Sequence, residues 1–154
     1  MKKKRVVIIS LLLLLVSVIG ISSYFLFKDK INLLDVDHSA VDWNGKKQKD
    51  TSGEENTIAI PGFEKVTLYA NETKQAVNFH NPEINDCYFK ISLIHPDGSV
   101  LWISDLIEPG KGMYSIELEK TLAVGEYENA VLKYECFSLN DQSPLNGSEI
   151  NLKL

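Results

Sequence analysis

At 154 residues, with 44 % hydrophobic and 24 % charged side chains, the chain has room for one ordinary core plus a targeting segment. Its net charge of −5 is spread unevenly: six bases against one acid leave residues 1–30 at +5, and residues 31–154, with 10 Lys and 20 Asp plus Glu, stand at −10. An acidic body excludes a nucleic-acid phosphate backbone as a partner, because such binding needs a basic face that displaces counterions.

Residues 1–5 are a basic stub, and Val6 to Phe27 then runs for 22 residues without a charge before Lys28-Asp29-Lys30. As a helix this run is about 33 Å long, enough for a hydrocarbon core of about 30 Å. Residues 6–27 therefore read as a transmembrane signal anchor, the expected contact of this chain with a membrane. Lys2 to Arg5 resist translocation, so the expectation is a single-pass protein of the cell membrane with a cytoplasmic N-terminus and an extracytoplasmic C-terminal domain. A cleaved signal peptide competes, with Gly20, Ser22 and Ser23 near a processing site. The apolar run through Tyr24-Phe25-Leu26-Phe27 and the lack of an A-x-A pattern favour the anchor. Both readings export residues 31–154, and no cysteine follows the apolar run to make a lipoprotein.

Residues 28–56 mix charges with Asn, Ser and Gly and read as a polar extracytoplasmic linker. Asp35, Asp37, His38 and Asp42 within it offer oxygen and imidazole donors, but the EF-hand spacing is absent and no metal is assigned. Trp43 and its apolar neighbours suit either the membrane interface or the surface of the domain.

From Thr57 the chain becomes a series of short apolar alternations with turn residues between them, the pattern of an all-β domain over 57–154. Strands are expected at Thr57 to Ile60, Val66 to Ala70, Gln75 to Phe79, Cys87 to Ile94, Ser99 to Ser104, Met113 to Leu118, Tyr127 to Leu139 and Ser148 to Leu152. His95-Pro96-Asp97-Gly98 marks a hairpin, since Pro presets φ and Gly98 accepts a positive φ. Alternation puts Cys87, Phe89, Ile91 and Leu93 on the core face, with Tyr88, Lys90, Ser92 and Ile94 opposite. Strands this short bury their apolar faces economically as two packed sheets, a β-sandwich of about seven to eight strands.

Chemistry is sparse. Cys87 and Cys136 are too far apart for CxxC redox chemistry or a paired zinc site, which leaves a disulfide, permitted in an exported domain, or two buried thiols. His38, His80 and His95 lie at turns or in the linker and complete no catalytic motif, and "EPGKG" lacks the phosphate-loop frame. No catalytic residue and no cofactor is assigned.

"LAVGEY", with Leu122, Gly125 and Tyr127, resembles the corner of immunoglobulin-like domains, where a Tyr hydroxyl bonds backbone at a strand entry. Cys87, Trp102 and Cys136 also follow the Cys, Trp, Cys order of such domains. The resemblance implies an immunoglobulin-like β-sandwich with Tyr127 as the corner residue in preference to Tyr134. The full layout is similar to small membrane-anchored surface proteins of Gram-positive bacteria. That similarity implies an exported accessory or surface module and no known activity. The first functional expectation is a non-enzymatic, membrane-tethered interaction module, an accessory of a surface or envelope assembly, with a protein partner at the cell surface. The alternative is a cell-wall or carbohydrate-binding module, with Trp102, Tyr88 and Tyr114 as candidate ring contacts. An exported hydrolase is the remote third reading.

Overall fold

A computed structural model describes residues 33–45 and 57–154. The stub at 1–5, the span at 6–27 and residues 28–32 and 46–56 of the linker lie outside the described residues. Among the described residues no helix is long and apolar enough to cross a membrane.

The described residues 34–45 and 57–154 form one compact unit. Its strands are β1 (Val41–Asp42), β2 (Lys74–His80), β3 (Cys87–Ile94), β4 (Val100–Ile103), β5 (Lys111–Glu117), β6 (Ala130–Ser138) and β7 (Pro144–Leu152). They make two antiparallel sheets, ordered β1-β5-β2 and β4-β3-β6-β7. β3–β4 and β6–β7 are hairpins within one sheet, whereas the connections 81–86, 104–110 and 118–129 pass from one sheet to the other.

Period-two alternation explains β3 and β6. Cys87, Phe89, Ile91 and Leu93 are buried, as are Ala130, Leu132, Tyr134 and Cys136, and the register sets Phe89 opposite Cys136 and Leu93 opposite Leu132. Ser92 departs from the simple pattern, because it is buried on the other face. The facing sheet supplies Phe79, Met113 and Ile116, and the Phe79 ring lies 5.8 Å from Trp102 and 5.5 Å from Phe63. Each such apolar side chain contributes about 1.5–3 kcal/mol by leaving water, so the two inward faces hold the sheets together. The expected hairpin forms as the turn residues dictate. Gly98 has φ +85°, its amide donates to the His95 carbonyl at 2.8 Å, and Asp97 accepts the Ser99 amide at 2.8 Å.

Residues 57–60 and 66–70 are not strands. Ala59 instead exchanges both its backbone hydrogen bonds with the side-chain amide of Asn85, at 2.7 and 2.9 Å, and only Lys65 bridges to Lys153 in parallel. β7 begins four residues before the expected start, because a bulge at Asn146-Gly147 lets pairing continue to Pro144.

Within the segment read as a linker, residues 34–45 pack with the sheets. The Gln142 side chain exchanges two hydrogen bonds with the Leu34 backbone, at 2.6 and 3.0 Å. Val36 bridges Leu106, and β1 pairs with β5, Val41 opposite Gly112 and Asp42 opposite Lys111. A two-residue strand is too short to show a period, and its stabilising partners come far later in the chain.

The two tyrosines have separate roles. Tyr127 donates its hydroxyl to the Ala123 carbonyl at 3.0 Å and exchanges backbone hydrogen bonds with Leu154 at 2.9 and 3.0 Å. Gly125 has no positive φ; the left-handed residue before β6 is Asn129, at φ 63°. Tyr134 is an interior residue, its ring 5.3 Å from Phe89, and its hydroxyl has no hydrogen-bond partner among the described residues. A buried hydroxyl without a partner carries its full desolvation penalty. Tyr134→Phe is therefore expected to raise the unfolding free energy by about 1 kcal/mol, read from urea melts, and a loss of stability would show that the hydroxyl is satisfied.

Candidate binding cleft

Cys87 stands opposite Ser138, so the start of β3 and the end of β6 share one end of the unit. The crossing loops 81–86 and 104–110 meet at that end. With the residues following β1 they enclose a cleft of about 760 Å³, lined among others by Trp43, Asn44, His80, Glu83, Ile84 and Gly110. That volume falls within the range of about 300–1,000 Å³ common for ligand sites.

Trp43 makes one wall. Its indole stacks on the His80 imidazole with centroids 3.8 Å apart and planes at 8°, and its N–H donates to Asn78 Oδ1 at 2.8 Å. The backbone holds it as well, since the Trp43 amide donates to the Gly110 carbonyl at 2.8 Å. Gly112 makes room: a Cβ there would stand 2.8 Å from indole Cδ1 and 2.9 Å from the Phe79 carbonyl oxygen. Tyr114 braces the next residue, its hydroxyl accepting from the Asn44 amide and donating to Asn44 Oδ1, each at 2.9 Å. On the rim, Ile84 is 76 % exposed.

A buried amide pair ties together the loops that carry the cleft residues. Asn81 donates through Nδ2 to the carbonyls of Cys87 and Ile107, at 2.8 and 3.0 Å, and its Oδ1 accepts from Asn85 at 2.8 Å. Its backbone exchanges hydrogen bonds with Lys111 and Gly110, at 2.9 and 2.8 Å. One side chain thereby ties the loop leaving β2 to the start of β3 and to the loop entering β5.

At the cleft edge, Lys111 Nζ lies 2.6 Å from Asp42 Oδ1 and holds that carboxyl below its ordinary range, while its own ammonium is held above. Asp97, Glu126 and Asp141 are lowered in the same sense, by the Ser99 hydroxyl and amide, by Lys153, and by the Ser143 amide and hydroxyl. A depressed folded-state value stabilises the fold above the unfolded value, and that stability is lost as pH falls through the folded value. The thermal midpoint is therefore expected to decline below about pH 4, and Asp97→Asn should flatten the decline. A midpoint level to about pH 2 would contradict it.

The residues singled out from sequence are dispersed. Trp102 is 7 % exposed and packs on Phe79; Tyr88 lies on β3 and Tyr114 on β5, in different sheets, so they form no aligned row of rings. Asp37 accepts from the Ser39 amide and hydroxyl and from the Asp105 amide, and Asp42 is engaged by Lys111. His80 is buried against Trp43, contrary to the expectation of a solvated turn histidine, whereas His95 does sit at the hairpin turn, 2.9 Å from Asp97. Cys87 and Cys136 are buried free thiols on neighbouring strands of one sheet, with Trp102 on the edge strand of that same sheet.

The cleft residues Trp43, His80, Glu83 and Ile84 went unremarked as a group. The one usable signal was Trp43, a large ring in an otherwise polar segment. Ring, amides, carboxylates and an exposed aliphatic rim make this a surface suited to binding. No family model matches the chain, and no match was found among curated proteins or solved structures.

Proposed function

We propose that the chain is a non-enzymatic module, tethered to the membrane through residues 6–27 with its sheet unit on the extracytoplasmic side, that binds a partner protein at the Trp43 cleft as an accessory of a surface or envelope assembly. The cleft carries this reading: an aliphatic side chain 76 % exposed beside a braced indole, with Asn44, Asp42 and Glu83 around them, has the apolar anchor and polar rim of a protein interface. The uncharged run at 6–27, flanked by Lys2 to Arg5, supports the tether and its orientation. The two-sheet order and the Tyr127 hydrogen bond to Ala123 support an immunoglobulin-like sandwich.

The test has two arms. Protease shaving of intact cells should remove the sheet unit, and its survival while a known surface marker is cut would refute the orientation. A photo-crosslinking side chain at Ile84 should capture a discrete protein in membranes, the same probe at Lys90 on β3 should not, and Trp43→Ala should abolish the product. Equal labelling from both positions would refute the cleft as the docking surface.

One observation favours the carbohydrate reading as a second: Trp43 shares the cleft with Asn44, Asp42 and Glu83, polar groups able to bond sugar hydroxyls. Sedimentation of the protein with purified cell wall, lost in Trp43→Ala, would select it over the protein partner.

A further inference from the structure

Cys87 is the first residue of β3, and Cys136 lies within β6 beside it. The register sets Cys87 opposite Ser138 and Phe89 opposite Cys136, so the two cysteines are diagonal neighbours on the inward face. Both are free and each is 1 % exposed. Diagonal cross-strand residues are about 7–8 Å apart between Cα atoms in a flat pair, and twist shortens one diagonal toward the separation of about 4.4–6.8 Å that bridging takes. Closure is an adjustment within one sheet and leaves the spacing between sheets alone.

We propose that Cys87 and Cys136 form an oxidation site, closing to an intramolecular disulfide between β3 and β6 by exchange with an external disulfide. Cys87 loses its proton and its thiolate attacks one sulfur of the external disulfide. The other half leaves as a thiolate, and a mixed disulfide remains on Cys87. Cys136, deprotonated in turn, attacks the Cys87 sulfur; the Cys87–Cys136 bond forms and the second half departs. The two protons end on the two released thiols, and the two electrons lost by the cysteines reduce the external disulfide.

Cys87 is the initial nucleophile on positional grounds. It opens its strand directly after the exposed Glu83, Ile84 and Asp86 of the crossing loop, whereas Cys136 is enclosed between β3 and β7. The interaction between the two thiols acts in the same sense, lowering the Cys87 pKa and raising that of Cys136. The exchange with an external disulfide does not depend on what the Trp43 cleft binds, and it persists where the compartment is oxidising.

The full chain, reduced and cleared of reductant, is incubated with oxidised glutathione, quenched with an alkylating agent and weighed intact. The wild type should lose two hydrogens, take up no alkyl group and no glutathione, and remain monomeric. Its thermal midpoint should rise by roughly 5–15 °C, reversibly on reduction. Cys136→Ala should retain one glutathione on Cys87, and Cys87→Ala should retain less. The same incubation during refolding from urea ensures that both thiols are reached. Two alkylated cysteines after that step, a glutathione on each, or a bridge between chains would overturn the proposal, as would a midpoint that fails to rise in the bridged protein.

Discussion

Asn81→Ala is expected to lower the unfolding free energy by about 3–4 kcal/mol. The side chain is fully buried and makes three hydrogen bonds, two donated to the Cys87 and Ile107 carbonyls and one accepted from Asn85. Truncation strips those buried groups of a partner, and each group left unsatisfied costs about 1–3 kcal/mol. Asn85 loses one of its own contacts, so its hold on Ala59 should loosen too. Asn81→Asp separates this cause from packing. It is almost isosteric, yet it turns an oxygen toward two carbonyl oxygens where an NH₂ had donated. It should destabilise at least as much as Ala at neutral pH. Urea melts followed by the fluorescence of Trp43 and Trp102 would decide it, and a mild Asp variant would show that shape, not hydrogen bonding, holds the crossing loop.

Gly147→Ala should destabilise by about 2–3 kcal/mol. Gly147 lies in the β6–β7 bulge, where pairing resumes at Ser148 opposite Tyr134 after Leu145 opposite Cys136. A Cβ on Gly147 would fall 2.2 Å from the Tyr134 carbonyl oxygen and 3.4 Å from the Cα of Glu135. Both atoms are backbone, so the strands themselves must separate. The neighbouring Asn146→Ala serves as control, since this exposed position should shift stability by no more than about 0.5 kcal/mol. Equal melting of the two variants would show that the bulge tolerates a side chain and that the close approach can relax.

The two variants differ in their expected effect on the proposed docking at the Trp43 cleft. Asn81→Ala loosens the loop that carries Glu83 and Ile84 and should weaken any crosslink formed from Ile84 even under conditions where the protein remains folded. Gly147→Ala acts on the β6–β7 pair and should leave that crosslink intact at the same folded fraction.

The fold was legible wherever one strand carried its own signal. β3 follows from Cys87 to Leu93 at period two, and its hairpin follows from Pro96 and Gly98, because side-chain direction and turn dihedrals are local properties. The expected strand at 57–60 failed for a reason outside itself: Asn85, far along the chain, takes the hydrogen bonds that a neighbouring strand would have made. β1 was invisible for the same reason. Its register with β5 and the seat of Trp43 on His80 exist only once those residues have been brought together.

The sequence by itself determined an acidic, all-β body behind a basic, uncharged-then-polar N-terminal region, since charge balance and hydrophobic period are properties of the chain alone. The tertiary structure alone decided that Trp43 belongs to a cleft, that Tyr127 and not Tyr134 turns its hydroxyl to backbone, and that Cys87 and Cys136 are diagonal neighbours within one sheet. Each of these depends on strand order and register between distant segments, and register follows from how whole apolar faces pack, which no short stretch of residues encodes.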